Sequence, residues 1–160
     1  MIRMRTILVP TDFGPSAGAA WEYAQEMAAR FNSRLHLLHV LAPAPFLEDP
    51  LGTESVSLQV ADLLRESEAG VRKALNRIPV KPSLARRVVR TTVVGVPVDA
   101  ILAYVEANDI DLVVMGTHGR GLVGHVLLGS VAERVVRRCP VPVTTIHGTA
   151  RARRPRRGRA

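Results

Sequence analysis

Apolar positions fall into two rhythms that alternate along the chain. Short apolar or β-branched runs, at Thr6 to Val9, Leu35 to Leu41, Arg87 to Val94, Ile110 to Met115 and Val141 to Ile146, predict five strands. Between them apolar residues recur every three or four positions, the period of a helix with one inward face. The first such stretch carries Ala17, Ala20, Trp21, Ala24, Met27, Ala28 and Phe31, and Asn32-Ser33 ends it. Residues 42–53, with Pro43, Pro45, Pro50 and Gly52, read as a loop. A long helix follows, with Leu58, Ala61, Leu64, Val71, Ala74, Leu75 and Ile78 inward and Gly70 weakening its middle. Gly95 and Pro97 open a third helix, with Val98, Ile101, Leu102 and Val105 on its apolar stripe. A fourth runs from Ser130 to about Arg138, with Val131, Val135 and Val136 inward. Arg137 and Arg138 suit the negative end of its dipole.

Strands that alternate with helices in this way predict an α/β fold with a mainly parallel sheet covered on both faces. Pro142 falls inside the fifth predicted strand and cannot donate a ladder hydrogen bond, which places that strand at an edge. An apolar edge needs a cover or a partner. A homodimer through Val141 to Ile146 is the expectation, with a covering loop or tail as the alternative.

The fourth strand runs into Gly116 and Gly119, and further on into Gly129-Ser130. Ser130 stands three residues before Glu133, the capping-box spacing, so Ser130 is the expected N-cap of the last helix. A strand, a glycine-rich loop and a helix start form a phosphate-binding layout. Two familiar versions are excluded. The phosphate loop that ends in Gly-Lys-Ser/Thr needs a lysine after its glycine, and neither Lys73 nor Lys81 follows one. Gly119-Arg120-Gly121-Leu122-Val123-Gly124 matches the dinucleotide fingerprint in letters. It starts too far after its strand, however, and the acidic residue expected about 20 residues on is missing.

Composition narrows the picture. With 160 residues, 47% hydrophobic and 22% charged, the chain reads as one soluble domain. No apolar run is long enough to span a bilayer, and no signal peptide is expected at Met1-Ile2-Arg3-Met4-Arg5. The single Cys139 suits a cytoplasmic location and reads as an inert thiol. His36 and His39 read as packed or surface residues, and His118 and His125 lack partners at metal spacing, so no metal site is expected. The formal net charge is +8, but residues 151–160 hold six arginines, so residues 1–150 carry only +2. The charge reads as a tail and not as a basic face. The domain is placed at residues 1–148, with 149–160 a disordered arginine-rich tail. That tail is either a solubilising extension or a contact for an acidic partner or nucleic acid.

Pro10-Thr11-Asp12, Thr117-His118-Gly119-Arg120, the stretch from Leu127 to Val135 and Cys139-Pro140-Val141-Pro142-Val143 together resemble the universal stress protein family, over about residues 4–147. Gly116, Gly119 and Gly129-Ser130 are spaced as in its ATP-binding branch. The resemblance implies a doubly wound five-stranded sheet in the order 3-2-1-4-5. It also implies ATP as the ligand, with Mg²⁺ arriving on the triphosphate. Pro10, Thr11 and Asp12 would lie at the nucleoside end, with Val40 against the adenine. Met115, Gly116 and Gly119 would bring the loop backbone to ribose and phosphates, with His118 or Arg120 as added donors. Gly129, Ser130 and Val131 would meet the phosphates. One departure from the family pattern is Gly121, directly after Arg120.

The function so implied is an ATP-binding regulatory protein of the stress response, a nucleotide-dependent conformational switch. The alternatives are a slow ATPase using the same site and a nucleotide-free dimeric interaction module. No general base stands out near the loop, so no catalytic residue is assigned.

Overall fold

The computed structural model describes residues 4–42, 67–117 and 128–148. In chain order the elements are β1 (Thr6–Pro10), α1 (Pro15–Phe31), β2 (Arg34–Leu41), α2 (helical over 67–77), a 3-10 turn (Pro82–Arg87), β3 (Val88–Val94), α3 (Pro97–Ala107), β4 (Leu112–Gly116), α4 (Ser130–Arg138) and β5 (Val143–Ile146). The sheet order is β3-β2-β1-β4-β5, and every pairing is parallel. Ile7 sits at the centre, in register with Leu35 on one side and Leu112 on the other. The five strands, their order and the helical cover are those expected from the sequence and its resemblance.

The continuous apolar runs are explained by two separate cores. Ile7 and Val9 point to one face and Leu8 to the other, because successive strand residues alternate. The first face buries Leu35, Leu37, Leu112 and Val114 against Ala20, Trp21, Ala24 and Ala28 of α1 and Leu75 of α2. The second buries Leu38, Val113 and Met115 against α3 and α4, through Val98, Ile101, Val105, Ala132 and Val135. Alanines along α1 let the helix lie close to the sheet. Trp21 Nε1 donates to the Pro79 carbonyl at 2.8 Å, and Gln25 Oε1 accepts from the Lys81 backbone at 2.8 Å, so α1 also holds the segment after α2.

Four expectations are corrected. Phe31 is 52% exposed, because the helix ends there: Asn32 turns left-handed (φ 57°) and its N–H returns to the Ala28 carbonyl. Val136 is exposed and Ala132 takes the inward position beside Val135. Pro142 precedes β5 instead of lying within it. Its carbonyl accepts from Val113 N–H at 3.0 Å, and pairing in β5 proper begins at the next residue, Val143. β5 is nevertheless an edge strand. Ile110 likewise precedes β4. Leu58, Ala61, Leu64, His125, most of the 42–53 loop and the tail lie outside the described residues.

Candidate functional site

The chain leaves β1 for α1 on one face and leaves β4 for α4 on the other, so the winding reverses between two neighbouring strands. Such a switch point opens a crevice beyond the carboxyl ends of the strands. A cleft of about 370 Å³ lies there. It is lined by Pro10, Thr11, Asp12, Val40, Met115, Gly116, Gly129, Ser130 and Val131, nine of the twelve residues singled out in the sequence. His118, Gly119 and Arg120 lie outside the described residues. Leu38, His39, Pro97, Ile101 and Thr117 complete the described wall, with Ala17 and Ala132.

The turn after β1 is held by short hydrogen bonds. Thr11 N–H donates to the Leu38 carbonyl (2.8 Å), extending the β1–β2 pairing by one residue. Thr11 Oγ1 accepts from Phe13 N–H (3.0 Å), and Asp12 Oδ1 accepts from Gly14 N–H (2.9 Å). Side chains that close turns in this way tolerate a left-handed neighbour, and Phe13 is left-handed at φ 64°. His39 Nδ1 lies 2.7 Å from the Thr11 carbonyl, which only accepts, so this nitrogen carries the proton. The His39 ring packs on Phe13 with centroids 4.7 Å apart. His39 is thus a packed residue that also fixes the turn.

Gly116 has a structural cause that the sequence hides. A Cβ there would stand 2.7 Å from Ser16 C, 2.8 Å from Ser16 Cβ and 2.9 Å from Ala17 N. The first turn of α1 crosses the end of β4 at a distance only glycine permits. Ser16 is buried and its hydroxyl donates to the Ile146 carbonyl at 3.1 Å, joining α1 to the end of β5. Thr117, also buried, joins three segments. Its N–H donates to the Ile146 carbonyl (3.0 Å), its carbonyl accepts from Gly129 N–H (2.6 Å), and its hydroxyl lies 3.0 Å from His147 Nδ1.

The expected capping box at α4 is absent. Gly129, extended at φ −60° and ψ 153°, is the N-cap, and its carbonyl accepts from Glu133 N–H at 2.9 Å. Ser130 is the first helical residue and is exposed, while the Glu133 carboxylate pairs with Arg137 one turn on (3.0 Å). Among the described residues no side chain caps α4. Its leading N–H groups, at Ser130, Val131 and Ala132, therefore belong to the orphan donors of a helix start, and these residues line the cleft.

Residues 4–147 match the universal stress protein family. This chain belongs to the universal stress protein family. It is 34% identical over 153 residues to a universal stress protein of Methanothermobacter thermautotrophicus, covering 92% of this chain and 97% of that one. It is 28% identical over 142 residues to universal stress protein MJ0531 of Methanocaldococcus jannaschii, covering 89% of this chain and 81% of that one. Among solved structures it resembles hypothetical protein MJ0577, with a TM-score of 0.76, 27% identity and coverage of 91% and 97%. It also resembles a universal stress protein crystallised in complex with cAMP, with a TM-score of 0.57, 27% identity and coverage of 91% and 98%.

In this universal stress protein the described cleft wall carries one formal charge, that of Asp12, and no lysine or arginine. Among the described residues no three histidine, cysteine or acidic side chains gather as a metal site, and no helix is long and apolar enough to cross a membrane. Cys139 is a free, partly buried thiol. Leu38 and Ile101 were missed in the sequence, although Leu38 follows from Val40 by strand alternation. Thr117 and Ser16 were missed because their partners are distant in the chain. Beneath the cleft, His36 Nδ1 lies 2.9 Å from the Tyr104 hydroxyl. Burial, and then the Arg34 charge, lowers the pKa of His36, and burial raises that of Tyr104.

Proposed function

We propose that this universal stress protein holds ATP in the switch-point cleft and acts as a nucleotide-dependent conformational switch in the stress response. One observation carries the reading: a single cleft joins the Pro10-Thr11-Asp12 turn to the uncapped start of α4. The donor set suits a nucleoside phosphate. Leu38, Val40, Ile101 and Met115 offer an apolar wall for a base, and the Asp12 carboxylate accepts hydrogen bonds from ribose hydroxyls. The leading N–H groups of α4, at Ser130, Val131 and Ala132, present donors and a positive dipole end to phosphates, with Gly129 as the N-cap before them. Gly119, His118 and Arg120 add the remaining phosphate contacts, and Mg²⁺ enters with the triphosphate. The similar universal stress protein crystallised with cAMP supports an adenine nucleotide here. We further propose a cytoplasmic homodimer paired through the β5 edge, with residues 149–160 an arginine-rich extension of the 1–148 domain.

The test is to purify the chain, denature it and identify released nucleotide by mass spectrometry, then to melt it with and without Mg·ATP. ATP should be released, and saturating Mg·ATP should raise the melting temperature by roughly 5–10 °C, from about 2.7 kcal/mol of linkage at a hundredfold excess over Kd. No nucleotide and no shift would overturn the proposal. A nucleotide-free interaction module is the second reading, favoured because Asp12 closes a turn and Gly116 clears Ser16, so both have structural reasons to be present.

A further inference from the structure

We propose that the opposite end of the sheet, where β1, β2 and β3 begin, docks single-stranded nucleic acid, with arginines on the phosphates and Phe31 under a base. This inference is independent of the cleft. Arg34 opens β2, and its N–H donates to the Arg5 carbonyl at 2.7 Å, so these two residues are neighbours. Leu35 pairs with Val88, which sets Arg34 beside Arg87. The Arg87 guanidinium reaches Asn32 Oδ1, at the end of α1, where Arg30 occupies the last turn. Arg86 precedes Arg87 in the 3-10 turn. Neighbouring strands stand about 4.8 Å apart, so this row offers guanidinium groups at short intervals.

Two observations mark the row as a surface for a partner. First, Arg5, Arg30, Arg34 and Arg86 are exposed and Arg87 is half-buried, and among the described residues none of the five pairs with a carboxylate. The described ion pairs are Lys81–Glu26, Arg137–Glu133 and Arg138–Asp99; Glu26, one turn before Arg30, also feels the Arg30 charge but is paired with Lys81. Asp111 borders the row, but its Oδ2 accepts the backbone N–H groups of Arg5 and Thr6. Second, Phe31 presents 52% of its surface to solvent between Arg30 and Asn32. An aromatic face beside a line of cations is the arrangement that binds single strands without sequence preference. All five cations are arginines, whose planar fork matches phosphate oxygens. The folded part is nearly balanced overall, yet these five arginines stand at one end of the sheet.

The experiment measures fluorescence anisotropy of a labelled oligothymidylate with the full chain, at about 50 and 200 mM salt. Arg34→Glu with Arg86→Glu should weaken binding at least about tenfold and flatten the log–log salt slope by about 1 to 2. Phe31→Ala and Phe31→Leu should each weaken it roughly tenfold with the slope unchanged. These side chains are exposed, so melting temperatures should match the parent. Residues 151–160 follow Gly148, at the cleft end of the sheet, so truncation at Ala150 separates the tail from the row. Loss of binding on truncation alone, with the row and Phe31 variants indistinguishable from the parent, would overturn the proposal. So would binding to phosphatidylserine vesicles without binding to the oligonucleotide.

Discussion

The two ends of this parallel sheet are built from the same elements and behave as opposites. At the carboxyl end, helix starts point inward and supply N–H donors, and the polar side chains Thr11, Asp12, Ser16 and Thr117 are engaged in holding backbone together. At the amino end, helix ends supply carbonyls, which favour cations, and exposed arginines collect there, with Asp111 and Glu26 at the border of the row. A parallel α/β sheet therefore sorts charge by its topology. A net charge of only +2 for residues 1–150 can conceal two surfaces with different appetites for anions.

The largest expected effect tests whether Gly116 belongs to the ligand or to the fold. Gly116→Val places a side chain within 2.9 Å of backbone atoms of α1, so it should destabilise the chain by about 3 kcal/mol or more. Chemical denaturation measures this. Unchanged stability with lost nucleotide affinity would return the glycine to the ligand alone. Next in size is Asp12. Asp12→Ala removes the acceptor of the Gly14 N–H and should cost about 1 kcal/mol, whereas Asp12→Asn keeps the turn. If the carboxylate also takes ribose hydroxyls, Asp12→Asn should weaken ATP at least several-fold in calorimetry while stability holds. Unaltered affinity would favour the nucleotide-free module.

The smallest effect links the ends. His36 has a folded-state pKa below its usual 6.5, so the unfolded chain takes up this proton first as pH falls. The site's contribution to stability is complete above about pH 6.5 and is lost below it. Melting temperatures across that window should fall less in His36→Gln than in the parent. Arg34→Glu, which removes the second cause of the shift, should also lessen the fall. A parallel decline in all three chains would show that His36 does not titrate as its surroundings dictate.

Much of the fold was legible because it is written in local rhythm. Runs of β-branched and aliphatic residues bounded by Gly and Pro marked the strands, and a repeat of three and four marked the helices. Their alternation dictated the parallel sheet. What escaped was non-local. Phe31 continues the stripe of α1 but lies at a left-handed stop, so its periodicity was right and its burial was not. Ser130 has the letters of a cap, yet Gly129 already supplies the capping carbonyl. Around the cleft, residue types at strand ends could be read from sequence. The contacts that explain Gly116 and Thr117 come from α1 and β5, and spacing along the chain carries no trace of them.

Thr117 has one more consequence. Its carbonyl bonds Gly129 N–H and its own N–H bonds the end of β5, so the ends of β4 and β5 and the N-cap of α4 are fastened to one buried residue. One side chain and its peptide groups thereby set the spacing between two strand ends and a helix start beside the cleft, and a change at Thr117 would be felt by all three.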